Sequence, residues 1–489
     1  MFKITTPESV GISSEKVTDF FKTINSYGLN THSVIMARGN NIFAESYYVP
    51  FKKDTLHRMY SVSKSFVAIA VGLAEQENLL SLDDKFIDYF PEYINQNIDE
   101  KYRQTTIRDM LTMRGCMAKY ANWWGESDRV KTYFSETSNQ TPGTNFHYDS
   151  AGSFLLGCMV EKVTGMPFLE YLKQKILLEI GFSKESYCLL APGGHSIGDS
   201  GVMCTTRDLL IFARFVMNGG VWNGKRYINE EFMKSAVSKQ TDNYIGGNVS
   251  ECFENNGYGY LIWKMPRDGF GFIGMASQYA ICDPLTDSIF IITSENMDGE
   301  KVASTLIMNE LYKNIIPNFS NPLPENQESY KNLTEYIDNQ EIFPLKNSVL
   351  NNISKDINGI KYLLEENPMS IQSIRLNFDQ NSGIFEFEND KSVNKIEFGI
   401  GYNVFGKFPG KKRIGMTASV YEDGQYNCAA SAVWCEKDKI HILVRIIDTY
   451  LGTLSIIIGF KDEKVTLTMQ KHSQRILENY NGTAAGYRI

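Results

Sequence analysis

Ser61 and Lys64 stand three residues apart in Met59-Tyr60-Ser61-Val62-Ser63-Lys64-Ser65-Phe66. If that stretch opens a helix, the amine lies beside the hydroxyl, because positions i and i+3 share a helix face. A seryl hydroxyl is a weak nucleophile at neutral pH and needs a base within reach; a buried lysine amine can be that base. The first N–H groups of a helix have no intrahelical acceptor, so the Ser61 amide can point at the oxyanion formed when the hydroxyl attacks a carbonyl. The chemistry implied is acyl transfer. The apolar run Phe66 to Ala74 that follows reads as a helix buried on most sides. The same letters recur at Ser13 to Lys16, among charged residues, and at Ser392 to Lys395, in a hydrophilic turn, and neither leads into such a run.

Two strands must deliver this stretch. Ser33 to Ala37 and Ile42 to Tyr48 flank Arg38-Gly39-Asn40-Asn41, which reads as a hairpin. From about residue 79 to 250 the signals are helical and loop-like, with helix patterns at 106–113, 153–164, 168–178 and 206–217. Strands resume at 257–263, 278–282 and 288–293, and a helix over 302–315 closes the domain. Pro317, Pro322 and Pro324 mark a linker. After a short helix near 329–339, strand patterns at 373–378, 384–388, 395–400, 440–447, 453–460 and 465–469 follow one another at the spacing of an antiparallel barrel or sandwich. The fold class expected is α+β: an antiparallel sheet flanked by helices with an all-helical insert, plus a C-terminal antiparallel β-barrel-like domain. The expected divisions are 1–316, a linker and short helix at 317–340, and a β domain at 341–489 that packs on and shapes the cleft.

Composition narrows the partners. A formal charge of −8 with no Lys/Arg block argues against nucleic acid. The amino-terminal residues have no apolar run of signal-peptide length and no later stretch reaches the length of a membrane span, which points to the cytoplasm and to no membrane partner. Eight cysteines are scattered without a Cys-x-x-Cys pair, and most read as buried free thiols. The six histidines have no ligand spacing, so neither a metal nor another cofactor is expected. The expected partner is a small-molecule or peptide substrate, and a homo-oligomer is compatible with this reading.

Three further stretches occur in a fixed order after Ser61: Thr106-Ile107-Arg108-Asp109-Met110-Leu111-Thr112-Met113, Thr141-Pro142-Gly143-Thr144-Asn145-Phe146-His147-Tyr148-Asp149-Ser150, and Gly201 to Phe212 around Asp208. With Ser61 and Lys64, they make residues 8 to 315 resemble the penicillin-recognising serine hydrolases of β-lactamase/transpeptidase type: class C β-lactamases, D-aminopeptidases, family VIII esterases and 6-aminohexanoate-dimer hydrolases. The resemblance implies that Tyr148, in Tyr148-Asp149-Ser150, shares a proton network with Lys64 and Ser61 and returns the proton to the leaving group, while Ser150 orients Lys64 and the substrate. Tyr120-Ala121-Asn122 matches Tyr-x-Asn by letter but lacks the flanks; Tyr120, Trp123 and Trp124 are expected to line the cleft. The third family motif, commonly Lys-Thr-Gly, falls on Phe272-Ile273-Gly274, with the Met275 N–H completing the oxyanion hole beside Ser61. The missing lysine argues against a substrate carboxylate at that point, and esters or amides lacking one fit better than β-lactams or D,D-peptides.

Other motifs compete poorly. Gly194-His195-Ser196-Ile197-Gly198 spells a nucleophile elbow without the helix that must follow, and Gly269 to Gly274 spells Gly-x-Gly-x-x-Gly but leads into a strand. The remaining alternatives are β-lactamase, D,D-peptidase or D-aminopeptidase activity, and a non-catalytic ligand-binding or scaffold protein on the same fold. A scaffold would have little reason to retain Ser61, Lys64 and Tyr148 together.

Overall fold

Seven short runs form one sheet: Lys3–Ile4 (β1), Thr31–Arg38 (β2), Asn41–Tyr47 (β3), Trp263–Lys264 (β4), Phe270–Gly274 (β5), Gln278–Asp283 (β6) and Ser288–Ser294 (β7). Their order is β1-β3-β2-β7-β6-β5-β4, antiparallel except where β1 joins β3. The hairpin turns at Gly39, whose φ of 57° suits a residue without Cβ. The computed structural model describes residues 2–94, 98–117, 128–244, 253–350, 353–390, 392–410, 412–413, 421–422, 424–473 and 476–489. Tyr120, Trp123 and Trp124 lie outside them. The chain divides into two units, Met1–Ile342 and Phe343–Ile489.

In the first unit the sheet is covered on both faces, so β6 and β7 are buried at every position and read as unbroken apolar runs rather than alternating ones. Ser14–Ser26 forms α1, and the nucleophile helix is Ser63–Gln76 (α2), buried from Ser63 to Ala74. Ile107–Leu111 (α3), Ser150–Thr164 (α4) and Thr206–Met217 (α5) belong to the insert between β3 and β4. Thr106 with Asp109, and Thr205 with Asp208, form capping boxes for α3 and α5, so two of the ordered sequence motifs are helix starts. Phe212 of α5 stacks on Phe66 of α2 and lies 5.3 Å from Phe272 of β5, which fixes the nucleophile helix against the sheet. Glu300–Asn309 (α6) packs on the sheet through Ser304, hydrogen-bonded to the Tyr279 hydroxyl at 2.6 Å.

The expected strand over 257–263 does not form. Tyr258 makes isolated bridges to Thr241 and Trp263, Leu261 has φ 51°, and Gly259 passes so close to Ala236 that a Cβ would meet its carbonyl oxygen at 2.0 Å. Close approach between backbones, rather than β pairing, sets this stretch. The stretch expected as a linker is part of the first unit's packing. Gln327–Asp338 (α7) buries Leu333 and Ile337, and Asn25 of α1 donates to the Tyr336 hydroxyl and to Gln340.

The second unit is a closed barrel. Its strands are Lys361–Leu364 (β8), Ile371–Asp379 (β9), Ser382–Asn389 (β10), Val393–Ile400 (β11), Val404–Lys407 (β12), Asn427–Glu436 (β13), Lys439–Ile447 (β14), Leu451–Lys461 (β15), Lys464–Ser473 (β16) and Gly482–Arg488 (β17). Nine of them form a ring in the order β11-β10-β9-β8-β17-β16-β15-β14-β13, closed by a parallel pairing of Gly399 and Ile400 with Ser431 and Ala432, while β12 pairs with β13 beyond that point. Alternate residues such as Ile440, Ile442, Val444 and Ile446 fill the interior. Cysteines 116, 158, 204, 282 and 428 are buried free thiols, whereas Cys435 at the end of β13 is exposed. Among the described residues, no helix is long and apolar enough to cross a membrane.

Candidate active site

The approach to Ser61 is bound on one side to a neighbouring strand. His57 and Arg58 pair with Cys204 and Met203, the Met59 N–H donates to the Val202 carbonyl at 2.9 Å, and the Ser63 hydroxyl accepts from the Val202 N–H at 3.0 Å. Tyr60 sits at φ 46°, a left-handed conformation that a non-glycine residue adopts only when its surroundings impose it. The Arg58 guanidinium lies 4.7 Å over the Tyr60 ring and its Nε donates to the Ser200 carbonyl at 3.0 Å. Behind them, His32 and His57 are hydrogen-bonded at 2.8 Å, and the His57 Nδ1 lies 3.0 Å from the Arg58 carbonyl. A carbonyl can only accept, so Nδ1 of His57 carries the proton and His32 donates to its Nε2. Burial pushes His57 down to about 4, so its imidazole is neutral near pH 7.

Ser61 lies in a single tight turn, Tyr60–Val62, that leads directly into α2. Lys64 is 1% exposed, and its Nζ donates to the Ser61 Oγ at 2.9 Å and to the Asp199 carbonyl at 2.9 Å. Two acceptors from separate segments fix the amine. Tyr148 precedes the Asp149 N-cap of α4, whose carboxylate accepts from the Gly152 N–H at 2.8 Å; a Cβ on Gly152 would meet that carboxylate at 2.5 Å. The Tyr148 ring centre is 5.0 Å from the Lys64 Nζ, and the ring packs on Trp263 at 5.5 Å. Ser150, the first residue of α4, makes no side-chain hydrogen bond among the described residues, and the bonds of Lys64 go to Ser61 and Asp199 instead.

β5 reaches the nucleophile through a glycine. A Cβ on Gly274 would lie 2.5 Å from the Met59 carbonyl oxygen and 3.3 Å from the Ser61 nitrogen, so β5 can run this close only without a side chain there. Met275 follows directly and opens a turn in which Ala276 and Ser277 have φ of 63° and 66°. Gln278 holds that turn: its Nε2 donates to the carbonyls of Met275, Ala276 and Ser294, and its Oε1 accepts from the Ser294 N–H. The Ala276 N–H donates to Glu300 at 2.7 Å; burial raises the Glu300 carboxyl above its ordinary range, partly offset by the backbone N–H groups it accepts from. Phe272 is fully buried against aromatic rings.

Ser61, Lys64, Tyr148 and Gly274 are thus brought together. Sequence reading passed over Asp199, Ser63, Gln278 and Glu300, which hold them. The signal for Gln278 is a lone amide heading the apolar run Tyr279 to Cys282; Asp199 acts through its carbonyl, which no side-chain pattern reveals. The Gly194-His195-Ser196 stretch is a loop latched by Glu161, which bonds the His195 Nδ1 and the Ser196 N–H, so its serine is no nucleophile elbow.

A family model described as Beta-lactamase matches residues 17–312. A 6-aminohexanoate-dimer hydrolase of Paenarthrobacter ureafaciens is 25% identical over 290 residues, which span 55% of this chain and 74% of that protein. Penicillin-binding protein 4* of Bacillus subtilis is 26% identical over 147 residues, 28% of this chain and 31% of its own. The crystal structure of a family VIII carboxylesterase superposes with a TM-score of 0.51 at 16% identity, covering 63% of this chain and 98% of that one, a likeness of fold.

Proposed function

Since the chain belongs to the Beta-lactamase family of serine hydrolases, we propose that it cleaves an ester or amide bond through an acyl-enzyme formed on Ser61. The observation that carries this reading is the buried Lys64 amine 2.9 Å from the Ser61 hydroxyl. As Oγ attacks the carbonyl carbon, its proton passes into the Lys64–Tyr148 pair, and the N–H groups of Ser61 and Met275 hold the oxyanion. Collapse of the tetrahedral intermediate breaks the C–O or C–N bond, and the leaving group departs with the proton returned by Tyr148. Water then attacks the acyl-enzyme by the same route and frees Ser61.

The resemblance aligns Phe272 with the family's lysine, and its burial supports a substrate without a carboxylate at that point. The name of the 6-aminohexanoate-dimer hydrolase relative is in keeping with an amide bond as the one cleaved. Intact-mass spectrometry of wild type and Ser61→Ala with p-nitrophenyl acetate, a D-alanyl amide and a penicillin tests the reading. An acyl adduct with the ester or amide, lost in Ser61→Ala, is expected. A persistent penicilloyl adduct would favour the β-lactam reading, and no Ser61 adduct with any of the three would favour a scaffold.

A further inference from the structure

Tyr148 and a second tyrosine, Tyr258, pack on the same indole. Their rings lie 5.5 Å and 5.1 Å from that of Trp263, and Phe146 closes the group at 5.1 Å from Tyr258. The backbone of Tyr258 is tied on both sides, its N–H donating to Thr241 and its carbonyl accepting from Gln240 and Thr241. Its side chain is fully buried, yet its hydroxyl has no hydrogen-bond partner among the described residues. Leaving a buried hydroxyl unpaired costs free energy, and natural cores rarely do so without a reason. Burial raises the Tyr258 phenol well above its ordinary value, with the neighbouring Tyr148 adding to the shift, so the group keeps its proton and is a standing donor.

We propose that Tyr258 is a positioning residue for Tyr148, its unpaired hydroxyl becoming the donor to the Tyr148 oxygen as acyl transfer proceeds. Hydrogen bonds of this kind are often open in a resting site and tighten only with substrate bound. The inference rests on the acyl-transfer reading of Ser61, Lys64 and Tyr148. Trp263 serves both rings as a common wall.

The test is a double-mutant cycle on p-nitrophenyl acetate hydrolysis with Tyr258→Phe, Tyr148→Phe and both together, alongside thermal melts. Tyr258→Phe removes one oxygen and keeps the ring. The expected result is a kcat lower by on the order of tenfold, a fraction of what a proton-transfer group itself is worth. KM is expected to be unchanged, with a melting temperature equal to or above that of wild type. The double variant should be no slower than Tyr148→Phe alone, because the hydroxyl acts only through Tyr148. Wild-type kcat in Tyr258→Phe, or losses that simply add in the double variant, would overturn the inference while leaving the acyl-transfer reading intact if Tyr148→Phe is slow. A Tyr148→Phe chain as fast as wild type would overturn the assigned role of Tyr148 and the inference with it.

Discussion

Ser13 to Lys16 and Ser61 to Lys64 place the same two residues at the same spacing at the start of a helix, yet the bonds run differently. At the first, Ser13 is the N-cap of α1 and its hydroxyl accepts from the backbone N–H of Lys16, while the lysine side chain is exposed. At the second, the turn Tyr60–Val62 takes the place of a cap, no side chain caps α2, and the serine hydroxyl accepts from the lysine amine itself. What separates them is burial and a second acceptor. Lys16 has water around its amine; Lys64 has the Asp199 carbonyl, brought from another segment, and α2 around it. A hydroxyl used as a cap is spent on the backbone, and one released from capping is free for chemistry.

The largest expected effect breaks the pair at its lysines. Lys64→Met keeps the length of the side chain and removes the amine; the burst of p-nitrophenol from an activated ester should fall by roughly a thousandfold, about 4 kcal/mol of barrier. Lys16→Met should leave the burst unchanged, and a Lys64→Met chain that keeps wild-type acylation would erase the distinction.

Acid should reach the two stretches unequally. Burial lowers the His57 pKa from its ordinary 6.5 to about 4, so unfolding takes up a proton between those values. Its contribution to stability is fully present above pH 6.5 and is lost as pH falls toward 4, by about 3 kcal/mol over the window. Urea unfolding from pH 7 to pH 4 should show this slope, and replacing His57 should flatten it. A slope untouched by that replacement would assign acid sensitivity to other groups.

The smallest effect lies at the cap. Ser13→Ala should lower unfolding stability by about 1 kcal/mol, read from a denaturant midpoint, with acylation intact. Together with Ser61→Ala, in which acylation should be lost, it separates a serine that holds a helix from one proposed to react at its start.

Ser61 and Lys64 stand out in the sequence because an unbroken apolar run follows them, and Tyr148 through the family resemblance, which Pro142-Gly143 before it and a helix after it anchor. The groups that hold these residues were not legible. Asp199 and Met59 act through carbonyls, and Gln278 grips backbone atoms on either side of a turn, so their partners are set by the fold and not by spacing. In the barrel, β14 to β16 alternate between inside and outside and can be read directly. By contrast, β13 carries Cys428-Ala429-Ala430-Ser431-Ala432-Val433, buried on both faces, and offers no period of two. The stretch 257–263 looked like a strand because aromatic and β-branched residues fill it, but Gly257 and Gly259 serve close packing there.

The sheet order of the first unit carries a consequence in time. Arg38 on β2 pairs with Ser288 on β7, and Gly274 must arrive beside Ser61, so the two halves of the site are made at opposite ends of a long stretch of synthesis. A ribosome displays Ser61 and Lys64 early, when nothing yet exists to complete the oxyanion site beside them. Long-range pairing of this kind folds slowly. Hydrolytic activity should therefore switch on late and abruptly in a growing chain.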